Sequence, residues 1–206
     1  MSTPGLFVVA SPSGGGKTSL VNALLQQDDH VALSVSHTTR APRPGEKEGV
    51  HYYFVDNAAF KALAQQGAFL EHARVFGSRY GTGRAAVDHQ LAAGFDVLLD
   101  IDWQGARQVR KSFPAVRTIF ILPPSLDVLR HRLVNRGQDS DEVIARRMQA
   151  ARDEISHASE FDYLVVNDDF QLALADLHAI IRSGQPERSA QISKCREILA
   201  ELLENG

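Results

Sequence analysis

The feature that most constrains this chain is a glycine-rich segment that follows an apolar run. Leu6–Ala10 is apolar throughout, and residues 11–18 are Ser-Pro-Ser-Gly-Gly-Gly-Lys-Thr. Glycines let a backbone curl until several N–H groups point at one anion, and a helix that begins there adds the positive end of its dipole. The lysine of such a segment reaches the β- and γ-phosphates of a nucleotide, and the threonine hydroxyl can bind Mg²⁺. We therefore predict a phosphate site formed by Ser11, Pro12, Ser13, Gly14, Gly15, Gly16, Lys17 and Thr18.

One position departs from the pattern G-x-x-x-x-G-K-[ST], because Ser11 stands where the first glycine is expected. The alternative interpretation is a Gly/Ser-rich linker that happens to contain a lysine. The apolar run before the segment and the amphipathic residues 20–25 after it favour the phosphate site.

Length and composition exclude several classes of protein. The chain has 206 residues, which suggests one domain with a sizeable core, and its net charge of −3 argues against a nucleic-acid-binding protein. Its single cysteine, Cys195, permits no internal disulfide and fits a reducing cytoplasm. No apolar stretch approaches the length of a membrane span, and the histidines lack the spacing of a zinc site. We expect a cytoplasmic protein with neither a nucleic-acid nor a membrane partner.

Short apolar runs alternate with helical patterns along the chain. The runs are rich in Val, Ile and Leu, which is typical of buried parallel strands, and they are Leu6–Ala10, 95–101, 116–122 and Tyr163–Val166. Helical patterns follow the glycine-rich segment and cover 125–134, which opens with a serine cap, and 170–181. This alternation predicts an α/β fold, a parallel sheet flanked by helices, with ligands at the carboxyl ends of the strands.

Two regions interrupt the alternation. Residues 37–90 are rich in Gly, Tyr, Arg and turn signals and are predicted to form a small mixed flap. Residues 130–155 are predicted to form a polar, Arg-rich helical lid hinged around Gly137, and 186–203 are predicted to form an amphipathic closing helix. The whole chain, 1–206, is then one domain, with its core in 5–36, 91–129 and 156–206.

Two carboxylates follow one of the predicted strands. Taken to residue 102, the apolar run from Phe95 ends in the carboxylates Asp100 and Asp102, and alternate residues of a strand share one face. Acids at a strand end beside a phosphate loop can hold Mg²⁺ directly or through water. A solvated strand end is the alternative.

Basic and phenolic side chains form two further candidate groups. Arg40 and Arg43 lie in a proline-stiffened loop, where guanidinium groups lose less freedom on binding an oxyanion, with Tyr52 and Tyr80 downstream. Solvated arginines and core tyrosines are the alternatives. The lid carries six arginines, which fits either a solvated helix face or delivery of guanidinium groups to a transferring phosphoryl group; the arginines are Arg130, Arg132, Arg136, Arg146, Arg147 and Arg152.

Seven motifs in order give the chain its resemblance to a known family. They are SPSGGGKT, SHTTRAPRPGE, FLEHA, YGT, LLDIDWQG, RLVNRG and VVND. Over about residues 5 to 182 the chain resembles the guanylate kinases, P-loop nucleoside monophosphate kinases that make GDP from GMP and ATP.

The resemblance implies a role for each matching residue. It places ATP on residues 11–18, with Arg132 and Asn167 at the adenine end, and Mg²⁺ at Thr18 and Asp100. It implies catalytic roles for Lys17, Arg40, Arg136 and Arg147. It implies that GMP, and dGMP as a second acceptor, is bound through its phosphate by Arg40, Arg43, Tyr52 and Tyr80. Its guanine would be recognised by Ser36, Glu71, Thr82 and Asp102.

The sequence departs from the family in three places and leaves two other functions open. Ser11 replaces a common glycine, Thr82 a common serine, and residues 138–140 differ from the usual lid motif. A non-catalytic binding module with this fold is one alternative, although such modules typically lose the working loop. A GTPase is the other, since residues 102–105 match D-x-x-G, but the chain has no N-K-x-D. Nothing in the sequence indicates an oligomeric state.

Overall fold

A computed structural model of the chain describes residues 4–75, 77–135, 140–183 and 189–204. The chain divides into two compact units: the first is Met1–Val8 with His30–Val116, and the second is Val9–Asp29 with Arg117–Gly206. The predicted flap, 37–90, falls within the first unit and the predicted lid, 130–155, within the second. Arg136 and the hinge Gly137 lie outside the described residues.

The five-stranded sheet has the order β2-β7-β1-β8-β9, and strand β1 (Leu6–Ala10) contributes residues to both units. The first unit holds β2 (Val31–Leu33) and β7 (Asp96–Asp100), which run parallel. The second holds β8 (Arg117–Leu122) and β9 (Tyr163–Val166), which also run parallel. The predicted parallel α/β sheet is confirmed. All four strands predicted from apolar runs are present, and they differ from the prediction by one residue at most at each end.

The first unit also contains a four-stranded sheet in the order β4-β3-β6-β5. Its strands are β3 (Ser36–Thr38), β4 (Tyr53–Phe54), β5 (Phe69–Val75) and β6 (Ser78–Gly83). β6 pairs antiparallel with both β3 and β5, while β3 and β4 are parallel, so the flap is a mixed sheet as predicted. The helices of this unit are α2 (Asn57–Gln65), α3 (Arg84–Ala92) and α4 (Trp103–Ser112).

A small aromatic core holds helix α2 against the flap sheet. The Asp56 carboxylate caps α2 by accepting a 2.7 Å hydrogen bond from the Ala59 N–H. Phe60 of α2 is buried and lies 4.7 Å, centroid to centroid, from Phe69 of β5. A Cβ at Gly81 would lie 3.1 Å from both rings, so glycine lets the strand pack closely against them.

Helices pack on the strands of the second unit. They are α1 (Lys17–Gln27), α5 (Leu126–Val134), α6 (Asp141–Ser156), α7 (Phe170–Ser183) and α8 (Ser189–Glu204). The predicted serine cap is confirmed, since Ser125 Oγ accepts from the Val128 N–H at 3.2 Å. In the closing helix α8, Cys195, Ile198 and Leu202 are buried, at the spacing of one helical face. None of the helices in the described part of the chain combines the length and apolar character needed to cross a membrane.

Candidate active site

Pairing in the flap sheet places three predicted site residues in one row. Ser36 is the direct partner of Thr82, and Thr82 is also the direct partner of Glu71 on the other side. Directly opposed residues of antiparallel strands present their side chains on the same face. The Thr82 hydroxyl donates a 2.6 Å hydrogen bond to Glu71 Oε1, and both side chains are buried. The three residues therefore form one polar row inside the first unit.

The second oxygen of Glu71 lies over the start of helix α4. A Cβ at Gly105 would come within 3.0 Å of Glu71 Oε2, so only glycine leaves that oxygen its present space. Asp102 caps the same helix, with Oδ1 accepting from the Gly105 N–H at 2.8 Å. Strand β7 ends at Asp100, so the expectation that Asp100 and Asp102 share a strand face is wrong. The helix cap uses Oδ1 of Asp102, and Oδ2 of the same carboxylate can accept a hydrogen bond from a ligand.

Burial changes the acidity of Glu71. Loss of water around the carboxylate, and to a lesser extent the negative charge of Asp102, raises the pKa of Glu71 to about 7, although the hydrogen bonds from Thr82 act in the opposite direction. A ligand with N–H donors would reverse this effect because it stabilises the ionised carboxylate.

We expect the stability of the ligand-free protein to depend on pH through Glu71. Its folded pKa lies above its ordinary value of 4.5, so the folded protein keeps a proton that the unfolded chain has released. The stabilisation is full below about pH 4.5 and is lost as pH rises through about 7, a change of the order of 3 kcal/mol. Because glutamine mimics the neutral form, Glu71→Gln should gain stability relative to the parent from pH 5 to pH 8 in denaturant unfolding. Parallel pH curves for the two proteins would contradict this assignment.

Arg40, Tyr52 and Tyr80 also come together in the first unit. The Arg40 guanidinium lies 5.4 Å from the centre of the Tyr52 ring, and the Tyr52 and Tyr80 rings meet edge to face with centroids 6.0 Å apart. Arg40 forms a two-bond ion pair with Glu46, which lowers the pKa of Glu46 to about 2 and raises that of Arg40. Arg43 belongs to the same loop with an exposed side chain. Glu46 was not predicted as a site residue from the sequence.

In the second unit the glycine-rich segment has the predicted conformation. Gly14 and Gly16 have φ values of 89° and 93°, in the left-handed region that favours glycine, and α1 begins at Lys17. A side chain at Gly16 would also collide with the Asn167 amide. The loop therefore leads into a helix N-terminus, where backbone N–H groups can bind an anion.

Two side chains from elsewhere in this unit hold the loop by its backbone. Asn167, which follows β9, donates from Nδ2 to the Gly15 carbonyl at 2.8 Å. Glu154 of α6 accepts from the Ser13 N–H through Oε2 at 3.1 Å. Asn167 was expected at the adenine end of ATP, and here its amide shapes the loop. Glu154 was missed because nothing in the sequence distinguishes it from the other acids of a polar helix.

A cavity of about 440 Å³ lies beside the loop within the second unit. Its lining includes Gly14, Gly16, Ser19, Arg132, Asn167 and Phe170. Arg132 donates from Nη2 to the Asn167 carbonyl at 2.8 Å, while its Nη1 is buried with no hydrogen-bond partner in the part of the chain that is described. A buried cationic donor without a partner is costly, and a ligand acceptor would satisfy it.

The other predicted site residues occupy the following positions. Lys17 is half-buried and Thr18 exposed, both at the start of α1, and Arg147 is half-buried on α6. Asp100 is half-buried at the end of β7, in the first unit, whereas Thr18 belongs to the second. Arg136 lies outside the described residues.

A glycine-rich loop that leads into a helix beside a ligand-sized cavity, on a parallel α/β sheet, defines the class of P-loop nucleotide-binding proteins. A family model described as guanylate kinase matches residues 4–184. The chain belongs to the guanylate kinase family.

Similar proteins support this assignment over the full length of the chain. A guanylate kinase of Alkalilimnicola ehrlichii is 59% identical over 96% of this chain and 98% of its own. A guanylate kinase of Pasteurella multocida is 54% identical over 98% of this chain and 99% of its own. The crystal structure of guanylate kinase from Anaplasma phagocytophilum has a TM-score of 0.74 and 36% sequence identity, covering 97% of this chain and 95% of that one. The resemblance carried by the seven motifs is confirmed.

Proposed function

We propose that this protein transfers the γ-phosphoryl group of ATP to GMP, giving ADP and GDP. Identity above 50% to guanylate kinases over nearly the whole chain supports the reaction. The observation that carries the acceptor assignment is the buried Glu71 carboxylate, bonded to Thr82 and aligned with Ser36. A buried acid costs stability, and a base with matching donors removes that cost.

The polar row of the first unit fits the hydrogen-bonding edge of guanine. Guanine presents N1–H and its N2 amine as donors, which ionised Glu71 and the second oxygen of Asp102 would accept. The single proton of Thr82 goes to Glu71 in this structure, so donation to guanine O6 is assigned first to Ser36. Adenine has an acceptor at N1 and no amine at C2, so it offers the ionised carboxylates neither of the donors that guanine supplies.

The flap loop would bind the GMP phosphate. Arg40 and Arg43 supply guanidinium groups, and Tyr52 and Tyr80 supply phenolic donors beside Arg40. The cavity of the second unit would take the adenine end of ATP next to Arg132, while loop N–H groups and Lys17 hold its phosphates. Asn167 would contribute to ATP binding indirectly, because its amide holds the backbone of the phosphate loop at Gly15.

The chemistry needs positioning and charge neutralisation rather than a covalent intermediate. A GMP phosphate oxygen attacks the γ-phosphorus, the bond from that phosphorus to the β–γ bridging oxygen breaks, and ADP leaves with that electron pair. Lys17, Arg40, Arg136 and Arg147 are proposed to neutralise the charge on the transferring group. Lid closure would exclude water, which otherwise would accept the phosphoryl group.

We propose that a Mg²⁺ ion arrives with ATP. Mg²⁺ takes hard oxygen ligands and keeps several waters and phosphate oxygens, so it needs only one or two protein groups. The Thr18 hydroxyl and the Asp100 carboxylate are of this kind, and the described residues hold no cluster of three or more His, Cys, Asp or Glu. Bound together with ATP, the ion would neutralise phosphate charge during transfer. We further propose that dGMP is a second acceptor and that the protein acts in the cytoplasm.

A panel of acceptors tests the proposed function. With ATP and Mg²⁺, we expect ADP release in a coupled assay with GMP and with dGMP, and only trace release with AMP, CMP or UMP. A binding module would release ADP with none of them. A GTPase would instead hydrolyse GTP supplied alone, which serves as the control reaction. Comparable rates with GMP and AMP would contradict the acceptor assignment.

A further inference from the structure

The guanidinium of Arg40 is held by Glu46 in a defined orientation. Arg40 Nη1 donates to Glu46 Oε2 at 3.0 Å, and Nη2 donates to Glu46 Oε1 at 2.8 Å. The two side chains are only 17% and 16% exposed, so the pair is largely shielded from water. Such a two-bond pair fixes the plane of the guanidinium as well as its position.

Counting the donors shows which edge of Arg40 remains for a ligand. A guanidinium has five N–H donors. The second Nη1 donor goes to the Ala41 carbonyl at 2.7 Å, so Ala41 and Glu46 together take three. The two left, on Nε and Nη2, lie side by side on the other edge of the planar group. Two parallel donors on one edge match two oxygens of a phosphate.

The loop in turn holds Glu46 in place. Glu46 Oε2 also accepts from the Arg43 N–H at 2.7 Å, and the Glu46 N–H donates to the Arg43 carbonyl at 3.0 Å. Pro42 and Pro44 restrict this turn further because their φ angles are fixed. The carboxylate thus ties the backbone of Arg43 to the side chain of Arg40.

We propose that Glu46 is a positioning residue for the acceptor phosphate, which turns the Nε–Nη2 edge of Arg40 toward that phosphate. The inference rests on the proposed function, because it assigns a role in GMP binding. Glu46 cancels the charge of Arg40, so its contribution is orientation: a guanidinium that is already fixed loses less freedom when the phosphate binds. An opposing role, in which Glu46 competes with the phosphate for Arg40, would give effects of the opposite sign.

Two Glu46 variants and one double-mutant cycle with Arg40 test the proposal by titration calorimetry and steady-state kinetics. Glu46→Ala should weaken GMP binding about 10-fold or more, the size expected for hydrogen bonds to a charged group. Glu46→Gln keeps one acceptor oxygen and should weaken it less. The KM for ATP should change less than about 2-fold in both. In an Arg40→Ala background, Glu46→Ala should have almost no further effect, because the two residues act as a unit.

Matched controls separate orientation from damage to the loop. Glu48→Gln alters a neighbouring carboxylate that accepts a 2.9 Å bond from the Phe54 N–H, and it should leave GMP binding unchanged. Binding of guanosine, which has no phosphate, should be the same in the parent and in the Glu46 variants. Tighter GMP binding by Glu46→Gln, or a full Glu46→Ala effect in the Arg40→Ala background, would overturn the proposal. Failure of the proposed function is distinct, since the parent itself would then not bind GMP.

Discussion

Replacing Lys17 by alanine should lower kcat by a factor of at least about 100 while GMP binding stays nearly unchanged. The lysine is the first residue of α1 and directly follows Gly16, which, like Gly14, has a positive φ. A charge in that place acts on the β- and γ-phosphates as they separate, and loss of one such group typically costs 100- to 1,000-fold in rate. Steady-state kinetics with ATP and GMP, together with calorimetric titration of GMP, measure both quantities.

The control for Lys17 is an exposed lysine outside the loop. Lys61→Ala, on helix α2, removes the same charge from the protein surface and should leave kcat within about 2-fold of the parent. A Lys17→Ala protein that keeps more than a tenth of the parent kcat would show that the loop lysine does not stabilise the transition state. An equal loss of GMP affinity would place Lys17 in the acceptor site instead.

The second large effect concerns the choice of base. The parent enzyme should prefer GMP to AMP by roughly 10,000-fold in kcat/KM, because a buried polar site discriminates strongly against a ligand that leaves it unpaired. Glu71→Gln should narrow that preference mainly by losing about 10- to 150-fold of the GMP activity, the equivalent of 1.5–3 kcal/mol for a bond to a charged group. Glutamine keeps an acceptor for Thr82 and turns an N–H donor toward the donors of guanine.

A second buried carboxylate in the same unit provides the control for Glu71. Asp96, the first residue of β7, accepts a 2.7 Å hydrogen bond from the Gly5 N–H. Asp96→Asn should leave the ratio of GMP to AMP activity unchanged. Full GMP activity in Glu71→Gln, or AMP as a comparable substrate of the parent, would contradict the guanine assignment. Thermal unfolding of both variants shows whether a loss of activity comes from the missing hydrogen bond or from unfolding of the protein.

The local pattern of the sequence determined the strands and the phosphate loop. Leu6–Ala10 and Tyr163–Val166 form the strands that their apolar character predicts, and Gly14 and Gly16 take the left-handed angles that only glycine adopts easily. Ser125 caps its helix as predicted. These features depend on residues close together in the chain, so sequence spacing is sufficient to predict them.

Resemblance extended the prediction to residues whose own chemistry is ambiguous. Nothing in the surroundings of Glu71 in the sequence distinguishes it from a surface acid, and the family motif alone pointed to it. The structure supplies the physical reason: strand pairing places it beside Thr82 and buries it, which raises its pKa to about 7. The roles assigned to Lys17 and Arg147 stay predictions until kinetics test them.

Only the tertiary structure decided how the carboxylates are used. Asp102 caps a helix because β7 ends two residues earlier, and Glu154 reaches the Ser13 N–H across 141 positions of the chain. Glu46 pairs with Arg40 through the conformation of a proline-rich turn. A carboxylate has the same composition and charge in a cap, an ion pair or a buried site. Its function depends on which donors the fold brings within about 3 Å, and sequence spacing does not encode that distance.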